Sequence, residues 1–148
     1  MVKGDIMTTK VYLGQIRKYD RMINNKLADI YRLKTMAMSM TIEPQADKVQ
    51  TSGAQDKLGD AVAKIVDLEK EIDRLVDIYV DKRNVIIGQI DALENDEYRD
   101  VLTQRFVLCK PFDEIYEEIG MSRRKMFYVY EEAMRFFEKE YGKDYTKK

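Results

Sequence analysis

Three consecutive cations occupy a position where helix stability alone would not place them. Arg123, Arg124 and Lys125 follow Ser122 within the stretch Lys110–Phe137, KPFDEIYEEIGMSRRKMFYVYEEAMRFF. Serine is a favoured N-cap, because its hydroxyl accepts a hydrogen bond from a free backbone N–H of the helix that follows. Cations are disfavoured at that end of a helix, where the macrodipole is positive. This placement indicates another role for the three cations, and binding an anionic partner is one candidate.

The elements that would hold these cations form two helices with a tight turn between them. The apolar spacing of Phe112–Ile119 predicts a short amphipathic helix, and Gly120 stands where a helix ends in a left-handed residue. In a helix-turn-helix, the N-terminal residues of the second helix enter the DNA major groove. A generic helical hairpin that binds nothing has the same pattern, so the pattern leaves both interpretations open.

Composition indicates a soluble helical protein without metal chemistry. The 148 residues include only two prolines and seven glycines, and their net charge of −1 gives no general attraction to nucleic acid. Any DNA contact must therefore come from a local basic patch. Cys109 is the single cysteine and there is no histidine, so we expect a small buried thiol, no zinc site and no cofactor. Without a signal peptide or an apolar run of about 20 residues, the expected location is the cytoplasm, away from membranes.

The first 94 residues predict an arm of two long helices. A net basic amphipathic helix is expected from Lys10 to about Met38, and a net acidic one from Lys57, capped by Asp56, to about Leu93. The apolar positions of the second recur at about the 3.5-residue coiled-coil spacing. A loop at residues 39–56, either functional or disordered, would let the chain double back into an antiparallel hairpin.

The pattern of residues 95–148 predicts a separate three-helix module. Asn95 is suited to cap a helix that runs to about Leu108, and Pro111 precedes the two-helix unit. The predicted core of the module consists of Leu102, Phe106, Ile115, Ile119, Met126, Val129, Ala133 and Phe137. The fold class is therefore all-α, a long helical hairpin followed by a small helix-turn-helix module.

The stretch from about Tyr98 to Phe137 resembles region 4 of the sigma-70 family of transcription initiation factors. YRDVLTQRFVL is similar to that family's helix in which an apolar pair precedes an Arg-aromatic pair, and FDEIYEEIGMSRRKMFYVYEEAMRFF is similar to its turn and recognition helix. The whole chain resembles phage and prophage proteins of the sigma-like or late-gene regulator type. No counterpart of sigma region 2 is recognisable in the first 94 residues, so a complete sigma factor is not expected.

The resemblance implies roles for individual residues. Ser122 matches the residue that opens the recognition helix, and Arg123 matches an arginine that reads the −35 promoter element. Arg124 stands where the family has a base-reading glutamate, while Phe127 and Tyr128 replace residues that contact DNA. Recognition of an ordinary −35 sequence is therefore not implied. The two aromatic residues would either touch DNA or form a protein-binding surface.

Two further cations complete the candidate site. Arg105 and Lys110 are candidate phosphate contacts, although Arg105 is equally suited to pairing with a carboxylate on a helix. The candidate DNA-binding residues are therefore Ser122, Arg123, Arg124, Lys125, Phe127, Tyr128, Arg105 and Lys110.

These features predict a phage-type transcriptional regulator that binds double-stranded DNA and is not an enzyme. Its arm would contact host RNA polymerase or form a homo-oligomer through the long helices. The alternative is a coiled-coil structural, interaction or DNA-packaging protein in which the helix-turn-helix is mainly structural.

Overall fold

A computed structural model of the chain describes residues 7–42 and 52–146, and all regular structure within them is helical. The all-α prediction is therefore confirmed. The α-helices of the described residues are Thr9–Leu13 (α1), Gln15–Ile42 (α2), Ser52–Asp91 (α3), Asp96–Leu102 (α4), Phe112–Ile119 (α5) and Arg123–Tyr145 (α6). Within the same residues, no helix combines the length and the apolar character needed to cross a membrane.

The first predicted helix is divided near its start. The hydroxyl of Thr8 accepts a hydrogen bond from the Val11 backbone N–H and caps α1, and Gly14 separates α1 from α2. The Gly14 N–H still donates to the Lys10 carbonyl at 2.9 Å, so the chain keeps a helical course through the break. The segment predicted as one helix from Lys10 is thus helical, but the sequence did not predict the interruption at Gly14.

The predicted loop at residues 39–56 is too long at both ends. α2 continues to Ile42 and α3 already begins at Ser52, so Asp56 lies inside α3 and does not cap it. Alanine and methionine favour helices, which explains why the methionine-rich end of α2 stays helical. The rest of the predicted loop, residues 43–51, lies outside the described residues.

The chain divides into two compact units, one from Met1–Lys18 with Tyr79–Lys148 and one from Tyr19–Ile78. Within the first unit, Leu13 and Ile90 are buried in the same apolar cluster as Leu102 and Phe137. Residues assigned to the predicted arm therefore share a core with the C-terminal helices, and this unit extends beyond the predicted boundary at residue 95. Burial of apolar side chains from both segments is the main favourable term that joins them.

The second unit has a narrow core. Its buried apolar residues in the described chain are Ile30, Ala61, Leu68 and Leu75. An ion pair joins Lys26 Nζ on α2 to Glu71 Oε2 on α3 at 3.3 Å. The net basic helix and the net acidic helix therefore meet inside this unit, as their charge patterns predict.

The predicted helix from Asn95 to about Leu108 is confirmed in extent, but it changes from an α-helix to a π-helix after Leu102. The Asn95 side chain accepts hydrogen bonds from the Glu97 and Tyr98 backbone N–H groups, as an N-cap should. After α4 the chain winds as one π-helical turn, in which the Leu108 N–H donates to the Thr103 carbonyl at 2.9 Å.

The segment that follows this turn departs from the expected burial of the thiol. Cys109 has a φ of 57° and is half-buried, where a buried side chain was predicted. Of the eight core residues predicted for the C-terminal module, seven are buried and Ile119 is half-buried. Ile119 is the last residue of α5, where fewer neighbours cover a side chain.

The turn between α5 and α6 depends on Gly120, which has a φ of 79° as predicted. Substitution by alanine would meet no atom within 4 Å, so the whole cost arises from the left-handed backbone, about 1–2 kcal/mol. We expect Gly120→Ala to lower the midpoint of urea unfolding. Gly88→Ala is the matched control, because Gly88 has equally open surroundings inside α3 and alanine there should stabilise by about 1 kcal/mol. Equal shifts of both midpoints would contradict this account.

Candidate nucleic-acid-binding surface

The first turn of α6 is a patch of exposed positive charge. Ser122 caps this helix, its hydroxyl oxygen accepting from the Lys125 backbone N–H at 3.1 Å, so the predicted N-cap is confirmed. Arg123, Arg124 and Lys125 are all exposed, and the first turn contains no acidic residue. Since the free N–H groups and the helix dipole add to the positive potential here, the turn is suited to an anionic ligand.

Two guanidinium groups and two aromatic rings form a row beside this turn. The Cζ of Arg105 lies 4.0 Å from the centre of the Phe112 ring, and the Phe112 and Phe127 ring centres are 4.9 Å apart. At the other end of the row, the Cζ of Arg123 lies 5.2 Å from the centre of the Phe127 ring. These are cation–π distances, and they restrict the positions of both arginines. Three predicted site residues are thus brought together.

Phe112 belongs to this surface, although its apolar spacing predicts only a packing role for it. It is the first residue of α5, and its ring also meets the Tyr130 ring edge-on at 5.0 Å. Burial raises the pKa of the Tyr130 hydroxyl, while the nearby charge of Arg105 acts in the opposite direction. Arg105 lies in the π-helical turn, seven positions before Phe112, and the sequence does not indicate that these two side chains meet.

Two of the predicted lysine contacts are paired with carboxylates. Lys125 Nζ lies 3.1 Å from Glu97 Oε2, and Lys110 Nζ pairs with Glu118. Both pairs are partly exposed, so each contributes little to stability and a phosphate could replace the carboxylate at small cost. Arg105, for its part, donates a hydrogen bond to the Lys110 carbonyl at 3.0 Å. Its pairing is thus with a backbone oxygen and a ring, in place of the helix carboxylate considered from the sequence.

The two aromatic residues that replace polar family residues differ in accessibility. Phe127 is half-buried in the row of rings, whereas Tyr128 is 66% exposed. Arg124 and Tyr128 are four residues apart on α6 and therefore occupy one face of the helix. Arg124 and Tyr128 thus present a free arginine–tyrosine face, and Phe127 mainly supports Arg123.

Cations without an acidic residue in the same turn are found at the start of α6. Farther along the helix, Arg135 pairs with both Glu131 and Glu132. The sequence of α5, FDEIYEEI, adds four carboxylates to the helix that precedes the turn. Any nucleic-acid contact of this module must therefore be narrow and centred on the first turn of α6.

A protein-family model described as "Protein of unknown function (DUF1492)" matches residues 38–138. The match covers more than half of the chain and includes all eight candidate site residues. No curated protein and no solved structure shows a significant match to the chain. The chain belongs to the DUF1492 family.

Proposed function

We propose that this protein is a phage-type transcriptional regulator that binds double-stranded DNA and catalyses no reaction. In this proposal α5 and α6 form a helix-turn-helix of the sigma region 4 type, and α6 is the recognition helix. The observation that carries it is the Ser122-capped first turn of α6, with its three exposed cations and no acidic residue. These N-terminal residues are the ones that a recognition helix places against base edges.

Arg123 and Arg124 would each contact a base of the DNA. Arg123 is held over the Phe127 ring, so less side-chain freedom is lost when its guanidinium binds. Arginine pairs with the O6 and N7 acceptors of guanine, and this contact contributes about 1–3 kcal/mol of discrimination. Arg124 shares its helix face with Tyr128, which would contact a neighbouring base or sugar. Both arginines therefore act as base readers in this proposal.

The two lysines would hold the backbone of the duplex. Lys125 and Lys110 would exchange Glu97 and Glu118 for phosphate oxygens, and Arg105 would stay in place as a support for Phe112. Contacts of this kind set the position and the salt dependence of binding but carry no sequence information. Because few cations are available, we expect modest affinity for non-specific DNA.

The long helices would form the antiparallel hairpin of the predicted arm. If α2 and α3 ran parallel past the Lys26–Glu71 ion pair, Ile42 and Ser52 would be about 52 Å apart at 1.5 Å per residue. The ten peptide steps between these two residues span at most about 36 Å. The antiparallel arrangement brings the same ends together, so the chain connectivity supports it. The arm would then contact host RNA polymerase or another copy of the chain.

A selection of bound sequences from a random duplex DNA pool, made with the full chain at moderate salt, tests this proposal. We expect an enriched motif containing guanine at positions that become unselective in Arg123→Ala or Arg124→Ala variants. Weak binding that falls steeply with salt and enriches no sequence would contradict a sequence-specific regulator.

The second candidate is a structural or interaction protein. It is favoured by the exposed Tyr128 on α6 and by the four carboxylates of α5, since exposed aromatic residues suit protein partners and carboxylates repel a charged duplex. On this alternative, the DNA selection enriches no sequence, and Tyr128→Ala abolishes binding to a protein partner.

A further inference from the structure

The second unit, Tyr19–Ile78, exposes apolar side chains that its narrow core does not use. Leu27 is 48%, Tyr31 75% and Met38 60% exposed on α2. These positions are four and eleven residues apart, so they fall within about 40° of one another around the helix. On α3, Val62 and Val66 are 50% and 42% exposed and are also four residues apart. Each helix therefore carries an exposed apolar stripe.

Helix geometry places the two stripes on one side of the unit. Leu27 and Tyr31 are rotated by about 60–100° from the buried Ile30, and Val62 and Val66 by about 120–160° from the buried Leu68, in the same sense. In an antiparallel pair, rotation in the same sense carries both stripes to the same side. We call this side the apolar face.

The stripes also lie at the same height along the unit. The Lys26–Glu71 ion pair shows which residues of α2 and α3 lie at the same level. Because the two helices are antiparallel, Tyr31, five residues after Lys26, lies level with Val66, five residues before Glu71. From Leu27 to Met38 the face is about 16 Å long and includes one charged residue, Lys34, between Tyr31 and Met38. Two helices each about 10 Å wide give on the order of 300 Å², of which the apolar side chains cover only a part. The largest apolar patch of a typical soluble monomer is about 300–600 Å² and is often functional, so this face is a candidate interaction site.

We infer that the apolar face binds a second copy of this chain, so that two units form a four-helix bundle. Charge complementarity selects this occupant. Residues 19–42 contain four basic and two acidic side chains, and residues 52–78 contain seven acidic and four basic ones. A two-fold axis parallel to the helices sets α2 of one copy on α3 of the other, so each basic helix meets an acidic one. This pairing is also antiparallel, as the helix dipoles favour.

The inference names the partner of the proposed arm and does not depend on DNA binding. Its test is the mass of the full chain by sedimentation equilibrium in the absence of DNA, with helical content followed by circular dichroism. We expect twice the chain mass of 17.5 kDa. A monomer at about 100 µM would overturn the inference, because a dimer with a dissociation constant of about 10 µM or below is mostly assembled at that concentration.

A matched pair of variants tests which face is used. Leu27 and Met36 are each 48% exposed on α2 but lie nine residues apart, about half a turn around the helix. Leu27→Glu should raise the dimer dissociation constant roughly a hundredfold or more, since each dimer would bury two new charges, while Met36→Glu should leave it within about threefold. Tyr31→Glu, at a more exposed site, gives a second reading if Leu27→Glu loses helical content. Equal effects of the substitutions at positions 31 and 36 would overturn the assignment.

Cross-linking distinguishes the two possible axes. On a Cys109→Ser background, a mixture of Tyr31→Cys and Val66→Cys chains should be joined by a short bifunctional thiol reagent. Tyr31→Cys alone should not be joined, because α2 does not face α2 across the proposed axis. The pairing of α2 with α3 would be overturned if Tyr31→Cys chains were linked efficiently to one another and no product joined Tyr31→Cys to Val66→Cys in the mixture.

Discussion

Alanine at both Arg123 and Arg124 is expected to weaken specific DNA binding by at least about thirtyfold without changing the fold. Both side chains are exposed in the first turn of α6, and each base contact is worth about 1–3 kcal/mol. Removing two cations from the positive end of a helix also relieves an unfavourable interaction with its dipole, so stability should be unchanged or slightly higher. Fluorescence anisotropy on the selected duplex measures the affinity, and circular dichroism with thermal unfolding measures the fold.

Arg135→Ala is the control for this prediction. Arg135 is on the same helix and is exposed, but both of its neighbours in charge are carboxylates, Glu131 and Glu132. Its removal changes the net charge by one unit without touching the first turn. If Arg135→Ala weakens binding as much as either single change at 123 or 124, general charge and not the first turn is responsible, and the proposed recognition helix is wrong.

Phe137→Ala is expected to destabilise the first unit by about 3–5 kcal/mol, the range for removing a buried aromatic side chain. Phe137 is 0% exposed, and its ring lies 6.1 Å from that of Tyr12, 5.0 Å from that of Tyr141 and 6.4 Å from that of Tyr145. The truncation leaves a cavity where α1 meets α6. Since domains are stable by only about 5–15 kcal/mol, much of the stability of this unit would be lost. Equilibrium unfolding in urea measures the change.

The neighbouring residue supplies the matched control. Phe136 is 40% exposed and its ring lies 5.8 Å from that of Tyr98. Phe136→Ala therefore removes the same atoms from a site that already faces water, and the loss should be well below that at position 137. Similar losses at the two positions would show that the contact between α1 and α6 does not carry the stability assigned to it.

The same contact explains why the sequence underestimated the first unit. Thr9 and Tyr145 are 136 positions apart, yet their hydroxyl groups lie 2.8 Å from each other, and the Tyr12 and Tyr145 rings stack at 4.2 Å. Periodicity reports which face of a helix is apolar but not which helix will cover it. The sequence alone therefore does not indicate that α6 continues to Tyr145, whose ring packs against α1.

Local chemistry was sufficient wherever a residue acts on its own backbone or on its immediate neighbours. Asn95 and Ser122 cap helices because their side chains reach N–H groups two or three residues away, and Gly120 adopts the left-handed conformation because it lacks a Cβ. The three cations in the first turn of α6 are exposed. The sequence by itself thus determined the all-α class, the α5–α6 turn and the charge of its first turn.

Only the tertiary structure decided which groups meet across long separations. It brought the Arg105 guanidinium over the Phe112 ring and paired Lys125 with Glu97. It also brought Thr9 of α1 into contact with Tyr145 of α6. It also left Leu27 and Tyr31 uncovered in the second unit, although their helical spacing is that of core residues. The physical reason is that burial and side-chain pairing depend on distances through space, and those distances are fixed only when all helices pack together.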